Sequence, residues 1–464
     1  MSDWKEYKLD ELVEITSSKR IMRSEYQENG IPFFRSKEII ELNSGNEITT
    51  DLFISKERFL EIKNKFGTPS YGDILLTSVG TLGVPYFVNY KEEFYFKDGN
   101  LTWFRKFNNI LRSKYLYYWF SSPVGRKALK EITIGSTQPA LTITGLKSLT
   151  IHLPTLEEQD YIIEILDHLS SKIHLNTQIN KTLEQIAQAL FKSWFVDFDP
   201  VRAKVQALSD GLSLEQAELA AMQTISGKTP EELTALSQTQ PDRYAELAET
   251  AKEFPCEIVE VDGVEVPKGW KQITLSEICE MQNGYAFKSS EWTDSGIPVI
   301  KIGSIQSKIL TVEGNGFVSE DNLSLRSNFV LNDRDIVIGL TGAYVGKVGR
   351  MPANKKAMLN QRVAKFLAKR INESETFYSF IYMNVIQEEF KNFVDFTAQG
   401  SAQPNISTKD ILKYPLLLAN NDVHLAFEKL LKKILDKSIF NSYQNEILSN
   451  SRDLLLPKLL NGES

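Results

Sequence analysis

Between Leu156 and Phe198 apolar residues recur at alternating steps of four and three: Ile162, Leu166, Leu169 and Ile173, then Leu183, Ala187 and Leu190. That spacing predicts a heptad seam on one long helix. Asn176 and Asn180 fall on the same seam. A buried Asn costs stability but fixes register, because its amide is satisfied only opposite a matching partner. At about 1.5 Å per residue the helix would be roughly 60 Å long, and so long a stripe needs a second helix against it. The stretch 420–461 supplies one, with Leu431, Leu435, Leu456 and Leu459 on a similar but less regular stripe. A core helix of one large domain would show the same pattern. What precedes each stretch is a repeat, however, and that favours a spacer joining two modules.

The repeat runs through the chain. Trp4, Leu9, Glu11 and Leu12 are answered by Trp270, Leu275, Glu277 and Ile278, and Gly30-Ile31-Pro32 by Gly296-Ile297-Pro298. Gly72-Asp73-Ile74-Leu75-Leu76 is answered by Arg334-Asp335-Ile336-Val337-Ile338, Asn100 by Asn360, and Gly135-Ser136-Thr137-Gln138-Pro139 by Gly400-Ser401-Ala402-Gln403-Pro404. Leu183 pairs in the same way with Leu448. The offset drifts between 260 and 266, as small loop insertions and deletions within one duplicated unit would make it.

Within each module the runs Asp73–Ser78 and Asp335–Gly339 are predicted strands that feed tight loops at Gly80, Gly83, Gly342 and Gly346. Lys114–Ser121 and Glu375–Phe393 are predicted helices. The expected fold is two α/β modules with mixed, curved sheets, joined by long antiparallel coiled-coil helices in an internal pseudo-two-fold repeat. Residues 199–266 lie between the modules as Ala/Leu/Glu-rich patches cut by Gly and Pro. They are expected to form an acidic helical linker, a solvated connector ending in an extended lead-in at 264–267.

Composition narrows the function. A chain of 464 residues suits two or three domains. No apolar run approaches the roughly 20 residues of a membrane span, and the start, MSDWKEYKLDE, does not resemble a signal peptide. Two cysteines, Cys256 and Cys279, argue against a disulfide framework and fit a reducing cytoplasm. The net charge of −7 argues at first against nucleic acid. Residues 200–267 hold 13 Asp+Glu and 5 Lys+Arg, a net of −8, so the rest of the chain carries −7 + 8 = +1. A near-neutral body can still carry local basic surfaces.

Catalytic signatures are missing. The histidines His152, His168, His174 and His424 and the two cysteines have no zinc spacing. Gly342-Ala343-Tyr344-Val345-Gly346-Lys347-Val348 has three residues between its glycines where a P-loop has four, and Val where the Mg²⁺-binding hydroxyl belongs. Phe198-Asp199-Pro200-Val201 lacks the second proline and the aromatic of an amino-methyltransferase motif. No glycine-rich loop has the spacing for S-adenosylmethionine. Glu249 and Lys252 lack nuclease spacing, and no Ser/His/Asp grouping can be argued.

Two related modules on a rigid spacer suit the reading of two separated sites on a periodic ligand. Duplex DNA is one, where half-sites about one turn (~34 Å) apart share a face. The copies differ in loop side chains: Arg35-Ser36-Lys37 against Lys301-Ile302-Gly303-Ser304, Thr77-Ser78-Val79-Gly80-Thr81 against Gly339 to Tyr344 followed by Lys347, and Lys97-Asp98-Gly99-Asn100 against Met358-Leu359-Asn360-Gln361-Arg362. Gln138, Gln403 and Asn405 sit in the Gly-Ser-x-Gln-Pro loops. Asn, Gln, Arg and Lys make base-edge pairs, and Ser and Thr hold phosphate oxygens. Singly each could be an ordinary polar loop residue; together they recur at equivalent places. An enzyme with an unrecognised site, or a coiled-coil scaffold without a nucleic-acid role, are the competing readings.

Several motifs then carry a resemblance: Gly-Ser-Thr-Gln-Pro-Ala at 135–140, Leu-Pro-Thr-Leu-Glu-Glu-Gln at 153–159, Leu166-Asp167, Ile173, Asn180, Leu183-Glu184, Phe191, Trp194-Phe195-Val196-Asp197-Phe198-Asp199-Pro200 and Val266-Pro267-Lys268-Gly269-Trp270. In this order they resemble the specificity subunit of type I restriction–modification systems. The resemblance implies target-recognition domains at 1–155 and 267–418, spacer helices at 156–198 and 419–464, and the linker at 199–266. It implies a non-catalytic DNA-recognition subunit that reads a bipartite site in double-stranded DNA. It also implies docking of two methyltransferase subunits through the helices, joined by restriction/translocase subunits in the full complex. This chain would hold no cofactor; S-adenosylmethionine, ATP and Mg²⁺ belong on the partners. The second helix departs from the pattern. It is led by Tyr414-Pro415-Leu416-Leu417-Leu418 and lacks a Trp-Phe end, so the two docking faces are expected to be unequal.

Overall fold

The structure, a computed structural model, describes residues 4–44, 48, 50–135, 139–306, 308–398 and 404–461. Two compact units emerge: Met1–Leu175 with Asn445–Ser464, and Asn176–Gln444.

In the first unit Lys5–Lys8 pairs antiparallel with Thr150–Leu153, so the module's two ends meet. A four-stranded sheet runs Glu14–Thr16, Leu101–Arg105, Ile74–Thr77, Pro85–Phe87 in spatial order. A second runs Tyr26–Gln27, Phe53–Ile54, Ile31–Phe34, Tyr95–Phe96, with its last pair parallel. The second unit repeats the plan. Lys271–Thr274 pairs with Pro415–Leu418. Its sheets are Cys279–Asn283, Val363–Ala368, Ile336–Gly339, Val348–Arg350, and Trp292–Thr293, Phe317–Val318, Ile297–Ile300, Ala357–Leu359. The latter sheet gains an edge strand, Val330–Leu331.

Local chemistry explains the repeated motifs. Gly30 and Gly296 adopt φ of +131° and +133°, and a Cβ there would lie 2.4 Å from the carbonyl oxygens of Ile54 and Val318 respectively. Only glycine admits both the dihedral and the approach. Asp73 and Asp335 each accept a backbone N–H three residues upstream, from Ser70 (2.9 Å) and Asn332 (2.8 Å). Their other donors differ: the Trp103 indole in one copy, the Lys365 ammonium in the other. Burial raises both carboxyls above the usual range.

Two expectations are corrected. The stretch 375–393 is not one helix; it holds Tyr378–Val385 and Glu388–Thr397, broken at Gln387, whose backbone is extended. The first copy breaks between Ser113–Ser121 and Pro123–Glu131 at Ser122-Pro123, where the proline marks the break openly. The stretch 199–266 is not a solvated connector. Its helices Asp199–Ser209, Leu214–Ser226, Pro230–Thr239 and Pro241–Glu253 bury Val201, Ala221, Met222, Ile225, Leu233, Leu236, Ala251 and Phe254 in the core of the second unit. The Lys204 ammonium is buried and donates to the carbonyls of Ala251 (3.0 Å), Lys252 (3.3 Å) and Phe254 (2.6 Å), closing the end of the last helix. Ile258–Val261 and Val264–Pro267 form a hairpin.

The seam forms as expected. Leu156–Phe195 and Asn421–Asn461 are single helices. In the first unit Ile162 and Leu166 are buried with Leu456 and Leu460, and Leu459 packs against them half-buried. In the second, the Asn176 amide donates to Gln444 Oε1 (3.3 Å) while Trp194 lies against Phe427 with tilted rings (5.7 Å between ring centres), so the two helix directions oppose. Asn180 Nδ2 donates to the Ser438 carbonyl (3.0 Å) and to Ser442 Oγ (3.1 Å), and Asn180 Oδ1 accepts from Asn441 Nδ2 (2.9 Å). Ala187, Phe191, Trp194, Leu431 and Leu435 are buried in one core there, with Leu190 packed against it. Leu169, Ile173 and Leu183 are half-buried.

Candidate nucleic-acid interface

In the first unit four loops meet where the parallel strand pair ends. Lys97 N donates to the Phe34 carbonyl (2.8 Å), and Ser36 Oγ to the Asn100 carbonyl (3.4 Å). Ser78 N also donates to the Asn100 carbonyl (2.8 Å), while Leu141 N donates to the Ser78 carbonyl (3.0 Å) and Val79 bridges Ala140. Arg35–Lys37, Ser78–Thr81, Lys97–Asn100 and Ala140-Leu141 therefore form one continuous edge. The second unit builds the same edge. Asn360 N donates to the Ile300 carbonyl (3.1 Å), Leu340 N to the Arg362 carbonyl (3.0 Å) and Ile406 N to the Leu340 carbonyl (3.1 Å), and Thr341 bridges Asn405.

These bonds correct the pairing of the copies. Lys97 and Asn360 make the same bond to the strand end, and Asn100 and Arg362 make the same bond to the next loop. The counterpart of Asn100 is thus Arg362, because the second copy's turn is one residue shorter.

Side-chain placement separates builders of the edge from groups it presents. Thr77 and Ser78 are buried: Thr77 Oγ1 accepts from Val84 N (2.9 Å) and Ser78 Oγ lies 2.7 Å from Thr102 Oγ1. Ser304 is buried as well, accepting from Lys301 N (3.2 Å) and Asn315 Nδ2 (2.9 Å). These three hydroxyls support loops and are not available to a ligand, because the hydroxyl of a small side chain is readily turned inward to satisfy local backbone. Asn360 is also buried, and the Thr341 hydroxyl is enclosed. Arg35 is half-buried and committed; it donates to Glu38 (2.7 Å) and Asp51 (3.1 Å), and the Glu38 hydrogen bond raises its pKa further.

Lys37, Thr81, Lys347, Gln361, Arg362 and Asn405 are exposed, and Ser36, Lys97, Asn100, Lys301 and Tyr344 are half-buried. Two lysines are held over rings, Lys301 at 3.9 Å from Trp292 and Lys347 at 4.5 Å from Tyr344, which aims each ammonium. Gln138 and Gln403 lie outside the described residues.

Other groups join the edge that sequence reasoning passed over. Arg20, exposed, comes within 3.6 Å of Asp98 in the Lys97–Asn100 turn; the run Lys19-Arg20 ahead of Arg23 was the available signal. In the second unit Tyr285 bridges Asn360, and Arg326 stacks on its ring at 4.3 Å while donating to its hydroxyl (3.1 Å) and to Glu291 (2.6 Å). No local pattern marks that pair, which is brought together across 41 residues.

Among the described residues no group of His, Cys, Asp and Glu could hold a metal ion, and no helix is long and apolar enough to cross a membrane. The arrangement offers donors and cations along one edge in each unit, suited to hydrogen bonding with a polyanion.

A family model described as "Type I restriction modification DNA specificity domain" matches residues 1–185 and 267–422. The chain is 39% identical over 481 residues to the type I restriction enzyme HindI specificity subunit of Haemophilus influenzae, covering 100% of each. It is 25% identical to the MjaIX specificity subunit of Methanocaldococcus jannaschii, over 99% of this chain and 93% of that one. The crystal structure of a type I restriction–modification S subunit from M. genitalium shares the fold, with a TM-score of 0.56 at 16% identity, covering 99% of this chain and 96% of that one.

Proposed function

Because this chain belongs to the type I restriction–modification specificity subunits, which are non-catalytic, we propose that it reads a bipartite DNA target with one loop edge per half-site. The observation that carries the reading is the duplicated edge. The same backbone bonds hold four loops in each unit, yet the side chains they present differ: exposed Lys37 and Thr81 with half-buried Asn100 in one, exposed Lys347, Arg362 and Asn405 in the other. A shared frame with diverged side chains is what two readers of different sequences require.

The long helices set the spacing and dock two methyltransferase subunits, with restriction/translocase subunits completing the complex in the cytoplasm. Their seam residues, Leu166, Phe191, Trp194, Leu431, Leu435 and Leu456 among them, are buried within this chain. Docking therefore falls to outward side chains such as Tyr161, Ile186, Val196 and Leu454. S-adenosylmethionine, ATP and Mg²⁺ act on those partners.

The test is methylome sequencing of cells expressing this chain with its modification subunit. One two-part motif with a fixed gap is expected, changed in one part only when Arg362 and Gln361 are replaced together. Methyl transfer by the purified chain alone, or a motif of one contiguous part, would overturn the reading.

A further inference from the structure

The two copies differ in charge beside the reading edge. The helix Pro123–Glu131 carries Arg126, Lys127 and Lys130 against Glu131, a net of +2. All three cations are exposed, and among the described residues none has an ion-pair partner. The counterpart Glu388–Thr397 carries Glu388, Glu389 and Asp395 against Lys391, a net of −2, and Lys391 is itself tied to Asp395. At the shared offset of 265, Arg126 answers to Lys391 and Lys130 to Asp395.

The first helix is held rigidly against the reading loops. The Ser122 hydroxyl caps its start by accepting from Gly125 N (3.0 Å), and at Gly125 a Cβ would lie 2.0 Å from the Trp119 carbonyl, so only glycine permits the sharp turn. Buried Leu129 packs under Gly83 of the Thr81 loop, where a Cβ would come within 3.1 Å. Arg126 and Lys130 line a cavity of about 740 Å³ together with Leu82, Gly83, Gly135 and Pro139, the residues of two reading loops.

We propose that Arg126, Lys127 and Lys130 hold backbone phosphates of the DNA flanking the half-site read by the first module, and that the second module has no such anchor. This rests on the DNA-reading function above. The first half-site then owes part of its affinity to a sequence-independent, salt-sensitive grip, whereas the second depends on its base contacts. The acidic counterpart helix would repel phosphate, so the second module meets the duplex through its loop edge alone.

The experiment uses the specificity chain assembled with its modification subunits. The variant is Arg126→Gln with Lys130→Gln, both at exposed positions, and Lys391→Gln is the matched variant in the second unit. Affinity for the target is measured against salt. Loss of two phosphate contacts should flatten the slope of log affinity against log salt by about 1.8, which is about 12-fold in relative affinity between 50 and 200 mM. Lys391→Gln should leave the slope unchanged. Phosphate-ethylation interference should lose its signal beside one half-site only, and the methylated motif should stay the same. An unaltered slope in the double variant, or an equal loss in Lys391→Gln, would overturn the proposal while the function above stood. A wild-type complex without sequence-specific binding would instead remove the function and this proposal with it.

Discussion

Asn180 sits in the helix seam with three hydrogen bonds, two donated to Ser438 and Ser442 and one accepted from Asn441. Asn180→Ala removes all three, but unequally. Ser442 Oγ already donates to the Ser438 carbonyl (2.9 Å), so those two groups keep each other. Asn441 is 1% exposed and its Oδ1 already has no partner, so the substitution strands the whole amide in the core. At about 1 kcal/mol for the one uncompensated bond, to Asn441, plus about 1–3 kcal/mol for a stranded buried group, the cost comes to about 2–4 kcal/mol. Replacing both partners, Asn180→Leu with Asn441→Leu, removes the unmet demand and should cost under about 1 kcal/mol or stabilise. Hydrogen–deuterium exchange of amides 176–190 reads the local opening free energy directly, and the double-mutant cycle isolates the pair. The double variant should also loosen register, since leucines do not specify which turn faces which. A single variant no less stable than the double would refute the account.

Further outcomes follow from other buried groups. Burial pushes the Glu428 carboxyl up to about 7 although Ser379 and Phe380 N–H groups donate to it (2.9 Å each), with Glu375 adding repulsion, and burial pushes His424 down to about 3. The raised carboxyl removes stability as pH rises from about 4.5 to about 7; the depressed imidazole removes stability as pH falls from about 6.5 to about 3. The two oppose each other in between, so unfolding of Glu428→Gln should turn acid-sensitive below about 6.5 while the wild type stays flatter; parallel pH profiles would refute this. Gly296→Ala, forced into φ of +133° with a 2.4 Å contact, should lose about 2 kcal/mol or more by denaturant unfolding, and Gly30→Ala the same, with no rescue by a second substitution nearby. Lys204→Met leaves two buried carbonyls and one part-buried carbonyl without this donor and should cost about 2–3 kcal/mol, read as early melting of the Pro241–Glu253 helix by exchange.

The repeat, the seam and its asparagines were legible in the chain, because each is a matter of spacing. So were the glycine turns, whose residue type carries the constraint. What stayed hidden needs a partner far along the chain. Val201, Met222 and Phe254 are ordinary apolar residues among many acids, and nothing local shows that they share one core with Trp194. Thr77, Ser78 and Ser304 carry hydroxyls that serve a loop or a ligand equally well by type; only burial decides. The Asn100–Asn360 match looked natural by residue identity, but one deleted residue in the turn moved the true counterpart to Arg362.

Each module starts and finishes on adjacent strands, Lys5–Lys8 beside Thr150–Leu153 and Lys271–Thr274 beside Pro415–Leu418. Cut points placed at such neighbouring termini would let a whole recognition block be transplanted between relatives while the helical frame was left intact. On the proposed reading, new specificities would arise by recombination in a single step, without passing through a series of half-functional point mutants.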